Sequence, residues 1–429
     1  MRTRLLTAGA MAGAVLIGLP AAAYAAPGGF GTDGKITTDF ADSADQINAL
    51  VTQTGGFVAA GAAGRSTDNG GTVTDFGLAR YDSRGRLVAG FGTGGKVTTD
   101  FFDGTDRVNA LVALPGGKLV AGGEAFQPSG DDPEFALARY NANGTLDAGF
   151  GTGGKVTTGF GGHDVAEDLV RQPDGKLLAV GYTIAVDTYV TSVAVARFLA
   201  DGTLDESFGD GGKVVTEFGG GAEAMSAVLQ ADGKLVVAGD SSGVGYDFWL
   251  ARYNTDGTLD TSFGDGGQVT TDFGDTTDRA LDLAIQADGK LVAVGEVITE
   301  ETTDFALARY NTNGTLDTGF GAGGRVVTDI NGGADQARAV TVRGNRLIVG
   351  GSATGSGSYD FAVAVYRLNG SLDTSLGDGG KAVTDFAGNV DEINDVVVQS
   401  DGTLLAGGVA YGPSLEMTDT DFAVARYRR

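Results

Sequence analysis

The chain has no cysteine and a single histidine, His163. The first absence excludes a disulfide framework, thiolate metal centres and cysteine nucleophiles. The second excludes histidine-cluster metal sites and leaves any Ser-His-Asp chemistry dependent on His163 alone. Basic residues are also scarce: 30 Lys and Arg stand against 55 Asp and Glu, for a formal net charge of −25. So acidic a surface repels nucleic acid and anionic lipid. It attracts cations or basic proteins, or serves solubility alone. Helical periodicity is missing after residue 27, and so is any second long apolar run.

What is present begins with an address. Arg2 and Arg4 precede an uncharged, mostly apolar stretch, Leu5 to Leu19, and Ala23-Tyr24-Ala25 supplies small residues at an A-x-A cleavage position. Residues 1–25 therefore read as a secretory signal peptide, and residues 26–429 as the mature chain. The apolar run is too short and too rich in Gly and Ala for a comfortable membrane span. The expected protein is secreted, extracellular and not inserted in a membrane.

The remaining 26–429 exceed one compact core, which leaves several domains or one repeat array. Internal repetition decides for the array. Phe91-Gly-Thr-Gly-Gly-Lys-Val-Thr-Thr-Asp-Phe101 recurs from Phe30, Phe150, Phe208, Phe263, Phe320 and Leu376, at spacings of 55 to 61 residues. A second marker, Asp304-Phe-Ala-Leu-Ala-Arg-Tyr310, recurs to end at Tyr81, Tyr140, Phe198, Tyr253, Tyr366 and Tyr427. Each period holds four strand-like runs, a to d. In one copy these are Asp278–Gln286, Lys290–Gly295, Asp304–Tyr310 and Arg325–Asp329. Ala287-Asp288-Gly289 gives a tight hairpin between the first two. Short β-branched runs, Gly-rich turns (74 Gly in all) and near-continuous apolar inner strands such as Leu291–Val294 fit blades packed on both faces.

The order of the markers predicts how the array ends. The mature chain starts on a strand d without a, b or c, and it finishes on a strand c without d. The N-terminal strand should therefore complete the last blade, removing open edges. The fold class expected is all-β: a closed seven-bladed β-propeller, four antiparallel strands per blade. An open solenoid would need capping repeats, which the sequence does not show.

The unit that runs from the Asp-Gly-Lys-Leu turn, through Asp-Phe-Ala-Leu-Ala-Arg-Tyr and Asn-x-Asn-Gly-Thr-Leu-Asp, to Phe-Gly-x-Gly-Gly-x-Val resembles the delta-60 repeat of bacterial β-propellers. The resemblance covers essentially the whole of 26–429. It is weakest in the sixth copy, which has Ile330 for Phe, Val365 for Arg and Arg343-Gly-Asn-Arg346 for the usual turn. It implies a propeller found among secreted and surface proteins, mostly without an assigned activity.

Residues present in every blade are most simply what every blade needs. The strand-c arginines (Arg80, Arg139, Arg197, Arg252, Arg309, Arg426) and the acids ending strand d (Asp39, Asp100, Glu217, Asp272, Asp329, Asp385) read as structural ion pairs. Asp45, Asp106, Asp164, Asp278, Asp335 and Asp391 begin strand a, nearest the axis. They form either a ring of channel-mouth carboxylates able to hold a cation or a set of Asx turns on their own d–a loops; turn chemistry favours the second. Asn254–Asp260 lacks the remaining ligands of a calcium loop and reads as a hairpin turn. No cofactor is expected, with calcium the one ion worth testing.

The b–c loops differ from blade to blade: 62–74, 124–133, 182–191, 240–246, 296–303, 352–359 and 410–420. With the d–a loops they should share one face of the disc. That face presents acids and tyrosines suited to protein or polysaccharide contact, among them Asp131, Asp132, Tyr182, Asp187, Tyr246, Glu300, Glu301, Tyr411 and Glu416. His163 lies on the same face and reads as incidental.

An enzyme is not expected. No Gly-x-Ser-x-Gly elbow and no phosphate loop occurs in a strand–helix context. Trp249 stands alone, where quinone-dependent propellers carry repeated tryptophan motifs. Carboxylate pairs for a hydrolase or lyase in the central channel are the alternative, recognisable as buried acids with raised pKa. The sequence thus reads as a monomeric binding module with an extracellular protein or polysaccharide partner.

Overall fold

The computed structural model describes residues 29–41, 44–67, 71–127, 132–241, 246–274, 277–354, 357–386, 388–412 and 419–427. Residues 1–25, read from the sequence as a signal peptide, and Asp131 and Glu416 lie outside the described residues. The described residues form 28 strands in seven four-stranded antiparallel sheets. Blades 1 to 6 span 46–99, 106–158, 163–216, 222–271, 277–328 and 335–384. Each is built from consecutive strands in the spatial order a-b-c-d. Blade 7 takes Asp391–Val398, Leu404–Tyr411 and Thr420–Tyr427 as a, b and c. Its outer strand is Lys35–Thr38, paired antiparallel with Thr420–Tyr427 in the register Lys35↔Ala425 to Thr38↔Phe422. Among the described residues no helix is long and apolar enough to cross a membrane.

Strands b and c are buried along nearly their whole length, because each face of a blade packs against the next blade. Leu291–Ile298 and Thr303–Tyr310 of blade 5 show this pattern. Blade-to-blade clusters such as Phe135, Leu137, Leu169, Leu177 and Phe198 fill the space between sheets. Strands d are only four residues long, which keeps the outer edges short.

The repeated motif residues stitch neighbouring blades. The Tyr that ends strand c donates its hydroxyl to a Thr on strand d of the preceding blade: Tyr140 to Thr99 (2.9 Å), Tyr310 to Thr271 (2.8 Å) and Tyr81 to Thr38 (2.8 Å). Blade 3 has Phe198 instead, and the hydroxyl of Thr158 turns to the carbonyl of Thr157. On the turn-rich face, the Gly after each motif Phe donates its N–H to the next blade's c–d turn, as from Gly264 to Asn313 (2.9 Å). Gly264 has φ +56°, and a Cβ there would lie 2.1 Å from the carbonyl oxygen of Gln268, so only glycine fits.

The strand-c arginines are structural, but their partners differ from those expected. Arg252 pairs with Asp260 of the Thr-Leu-Asp turn (2.7 Å), which Lys234 also binds (2.7 Å). The same trio recurs as Arg197–Asp205–Lys176 and Arg309–Asp317–Lys290. Each guanidinium also covers a motif ring, with Arg252 4.7 Å from Phe263, and donates onward to the next blade, from Arg252 to the carbonyl of Thr312 at 2.7 Å. Strand d ends on the opposite face of the disc from this turn, so its acids are out of reach of these arginines. The bonds from Lys and Ser, together with the arginine's charge, hold the carboxyls of Asp205 and Asp260 well below the usual range despite burial.

Candidate functional site

All seven strands a line a central cavity of about 390 Å³. Each carries a bulge at the same place, where the register shifts, for example between Ile47 and Ala49 or between Ala280 and Asp282. The bulge aims an extra side chain at the channel. Around the ring these are Asn48, Asn109, Glu167, Met225, Leu281, Arg338 and Asn394. They share no motif.

Bulge residues and their neighbours form a second girdle between blades. Asn48 donates to the carbonyl of Val108 (2.8 Å), Asn109 to that of Ala166 (3.0 Å) and Asn394 to that of Ile47 (2.7 Å). Asp168 accepts from the N–H of Ala227 (2.8 Å), Asp282 from Val340 (2.6 Å) and Asp395 from Leu50 (2.6 Å). Ser226 bridges to Asp282 at 2.8 Å, and Arg338 crosses to Glu392 at 3.1 Å. The junction of blade 7 with blade 1 carries two such bonds.

Desolvation is the largest cause raising the channel acids. Asp168 and Asp395 are pushed up to about 7 and Asp282 to about 6, although backbone N–H groups favour their ionised forms. Ser226, the Asp282 charge (which faces both Asp168 and Asp395) and the neighbouring strands a surround them. Their unfolded values lie near 4. A raised folded pKa stabilises the fold fully below that value and loses the contribution as pH rises through about 6 to 7. The midpoint of thermal unfolding in chelator is therefore expected to fall between pH 5 and pH 8. Asp168→Asn with Asp395→Asn should flatten the slope. A flat or rising wild-type profile would contradict this assignment.

Toward the loop face the channel wall becomes charged. Register pairs place Arg107 opposite Glu124, Glu223 opposite Asp240, Arg279 opposite Glu296 and Val165 opposite Tyr182. Arg107 binds Glu124 at 2.6 Å, and Arg279 reaches back to Asp240 of blade 4 at 3.0 Å. Burial pushes Glu167 up to about 7, opposed by Arg107 and reinforced by Glu124 and Glu223. Burial and the same acids raise the Tyr182 phenol. Glu167, Tyr182, Glu223, Glu124 and Arg107 thus form one half-buried polar cluster.

The sequence-predicted residues separate into three groups. Asp45, Asp106, Asp164, Asp278, Asp335 and Asp391 do not line the channel. They turn into the blade junctions, essentially inaccessible, and each accepts an N–H from its own d–a loop. Examples are Phe101 to Asp106 (2.7 Å), Phe160 to Asp164 (2.6 Å), Phe273 to Asp278 (2.6 Å) and Phe40 to Asp45 (2.6 Å). Strand alternation explains the difference: each of these aspartates, at the entry to strand a, faces the preceding blade, and the residue after it faces the axis. Tyr182 and Tyr411 sit at the ends of strands b rather than in loops, because hairpin pairing continues past the last apolar residue. Asp132, Asp187, Tyr246, Glu300 and Glu301 are exposed on the b–c side, as expected. Asp132 lies 3.9 Å from His163.

The b–c loops of blades 3 and 4 expose large apolar side chains: Val186 (51 %), Tyr189 (81 %), Val190 (40 %) and Tyr246 (45 %). Tyr189 has φ +56°, a conformation rare for an aromatic residue. Hydrogen bonds from Tyr189 N–H to Ala185 (2.8 Å) and from Ala185 N–H to Val190 (3.1 Å) fix the loop in that shape. In the sequence Tyr189 is marked only by its place in the variable loop 182–191, since neither its backbone conformation nor its exposure is written in a motif.

Five segments, 114–150, 172–208, 230–263, 286–320 and 345–376, match the model of a domain of unknown function (DUF5122) described as a β-propeller. These segments lie in blades 2 to 6 and run from the a–b turn to the motif Phe or its Leu376 equivalent. In five consecutive blades the chain is thus similar to a β-propeller repeat. No curated protein sequence matches. Similar solved structures include Sqt1 from Chaetomium thermophilum, 13% identical, TM-score 0.46, covering 92% of this chain and 99% of that one. Polysaccharide lyase Uly1 is 13% identical, TM-score 0.48, covering 89% and 90%. The propeller domain of the Trilobed protease from Pyrococcus furiosus is 10% identical, TM-score 0.43, covering 89% and 92%. At these identities and scores none of them bears on what this chain does.

Proposed function

We propose that the chain is a secreted propeller latched by its N-terminal strand, a delta-60-type array whose b–c face binds an extracellular protein or polysaccharide. The observation that carries this reading is the exposed apolar group Val186, Tyr189, Val190 and Tyr246 on the loops of two adjacent blades. An aromatic held out in a strained, hydrogen-bonded loop is spent on contact rather than on folding. Acidic side chains nearby, Asp187 and the channel-mouth glutamates, add selectivity for basic or hydroxyl-rich partners. The repeated residues are occupied with blade-to-blade bonds, which leaves the unrepeated face free for recognition. The net charge argues against nucleic acid. The module is taken as a monomer.

The test is binding to a panel of soluble polysaccharides by affinity electrophoresis, and to purified basic proteins by titration. Any ligand found should be lost in a Val186→Ser, Tyr189→Ser, Tyr246→Ser variant, with an expected weakening of about tenfold or more. It should survive exchange of the turn at Asn311–Gly314 on the opposite face. The reverse pattern would sink the reading.

A second reading, a hydrolase or lyase, is favoured by one observation: Glu167, held near neutrality beside Tyr182 and Arg107 in the channel, has the environment of a general acid or base. It requires that a bound polysaccharide be cleaved, and that Glu167→Gln abolish the release of new reducing ends without weakening binding.

A further inference from the structure

Acidic triads recur at the blade junctions beneath the loop face. Each takes one Asp from the start of strand c, one from the end of strand d and one from the start of strand a in the next blade. Among the described residues the triads are Asp39–Asp45–Asp421, Asp75–Asp100–Asp106, Asp247–Asp272–Asp278, Asp304–Asp329–Asp335 and Asp360–Asp385–Asp391. In each, carboxylate oxygens of all three residues lie within 4.8 Å of one another. An acidic cluster alone proves little, and two independent observations separate these triads from surface acidity.

The first is a set of orphaned oxygens. Asp335 and Asp391 are fully buried, and their Oδ2 atoms accept the N–H of Ile330 (2.5 Å) and Phe386 (2.7 Å). Their Oδ1 atoms are buried without any hydrogen-bond partner. In the same two triads the Oδ1 atoms of Asp304 and Asp360 are buried and unpartnered as well. Two junctions therefore each hold a pair of buried carboxylate oxygens that no protein donor satisfies. Such atoms carry a desolvation cost that a folded protein normally offsets. The second observation is what happens where a basic side chain can reach. Arg65, at the end of the long strand Gly56–Ser66, lays its guanidinium on the triad of blade 1, 2.9 Å from Asp75 and 3.6 Å from Asp100. One triad is thus filled by a cation from the chain itself.

We propose that the triads Asp304–Asp329–Asp335 and Asp360–Asp385–Asp391 each bind a divalent calcium ion, doing between blades 5, 6 and 7 what Arg65 does between blades 1 and 2. Three carboxylates with irregular spacing suit calcium, which accepts six to eight oxygens in flexible geometry. Magnesium demands near-octahedral geometry and usually keeps several waters, with one or two carboxylates. The ion would tie strands c and d of one blade to strand a of the next, directly below the loops that make up the b–c face. The inference goes beyond the binding reading and stands or falls without it, because its readout needs no macromolecular ligand.

The test is calcium titration of the chelated mature protein by calorimetry, with thermal unfolding in parallel. Saturable binding is expected, with a rise in midpoint of roughly 3 °C at about a hundred times Kd, and a smaller response to magnesium. Asp335→Asn with Asp391→Asn keeps an oxygen for the Ile330 and Phe386 N–H groups, so the fold should persist by circular dichroism while binding to these two sites is lost. Arg65→Ala should add one site by freeing Asp75 and Asp100 beside Asp106, whose Oδ1 is already buried without a partner. No saturable calcium binding, or binding unchanged in the double Asn variant, would overturn the proposal.

Discussion

A protein lacking residues 29–40 is expected to lose several kcal/mol of stability and to self-associate. This segment supplies the whole outer strand of blade 7, paired with Thr420–Tyr427 from Lys35 to Thr38. It also inserts Phe30, 2 % exposed, against Phe57 and beneath the guanidinium of Arg426, 4.6 Å from the ring. Phe40 packs on Phe422 at 4.8 Å. Replacing a buried phenylalanine by alanine costs about 3–5 kcal/mol, so Phe30→Ala alone should be visible in denaturant unfolding. Deletion adds the loss of the strand ladder and uncovers Thr420–Tyr427 as an edge, and uncovered edges pair with other chains. Size-exclusion chromatography should show dimers or larger species. A deleted protein as stable and as monodisperse as the parent would mean that the outer strand does not latch the ring.

The second large effect is expected at Asp395. Its Oδ2 accepts the N–H of Leu50 across the junction between the last blade and the first, while Oδ1 accepts its own Val396 N–H. Asp395→Ala leaves the Leu50 N–H without that acceptor, at a cost of about 1–3 kcal/mol. Asp395→Asn keeps an oxygen in place and should cost less than half as much. Combining Asp395→Ala with Asn394→Ala removes both girdle bonds at this junction, and the two losses should couple rather than add, because they share one interface. The equivalent double change at the junction of blades 3 and 4, Glu167→Ala with Asp168→Ala, should cost less, because only Asp168 makes girdle bonds there. Equilibrium unfolding in urea measures all of these, and equal stability of Asp395→Ala and the parent would remove the girdle from the account.

The repeat made the architecture readable because it encodes junctions. Tyr310, Thr271, Arg309, Gly264 and Phe263 each recur since each makes a bond or contact that every pair of blades requires. Their periodic appearance gave strand number, blade number and the odd distribution of strands at the two ends. What repetition could not give was the direction of side chains within strand a. Asp278 could belong to a channel-mouth ring or bond its own d–a loop, and the second, favoured reading is the one found; the side chain faces the preceding blade, and the bulge three residues later, at Leu281, resets which positions see the channel. Glu167, Asp168, Asp282 and Asp395 carried no signal, because the channel needs only some hydrogen-bonding group at or just after each bulge, and different blades supply Asn, Asp, Ser or Arg. The acidic triads were half visible: each Asp belongs to a recurring motif position, yet their meeting depends on a contact between two blades. Tyr189 lies in a loop the sequence marks as variable, but nothing in the sequence marks its positive φ.

The most direct measurement is native-state amide hydrogen exchange on residues 26–429, comparing Lys35–Thr38 and their partners Phe422–Ala425 with Phe305–Ala308 and their partners Arg325–Thr328 of blade 5. If the N-terminal strand closes the ring, both pairs exchange with the same protection, since opening either breaks one continuous structure. Exchange at Lys35–Thr38 as fast as in a frayed terminus, with blade 5 still protected, would contradict the closed ring on which the account rests.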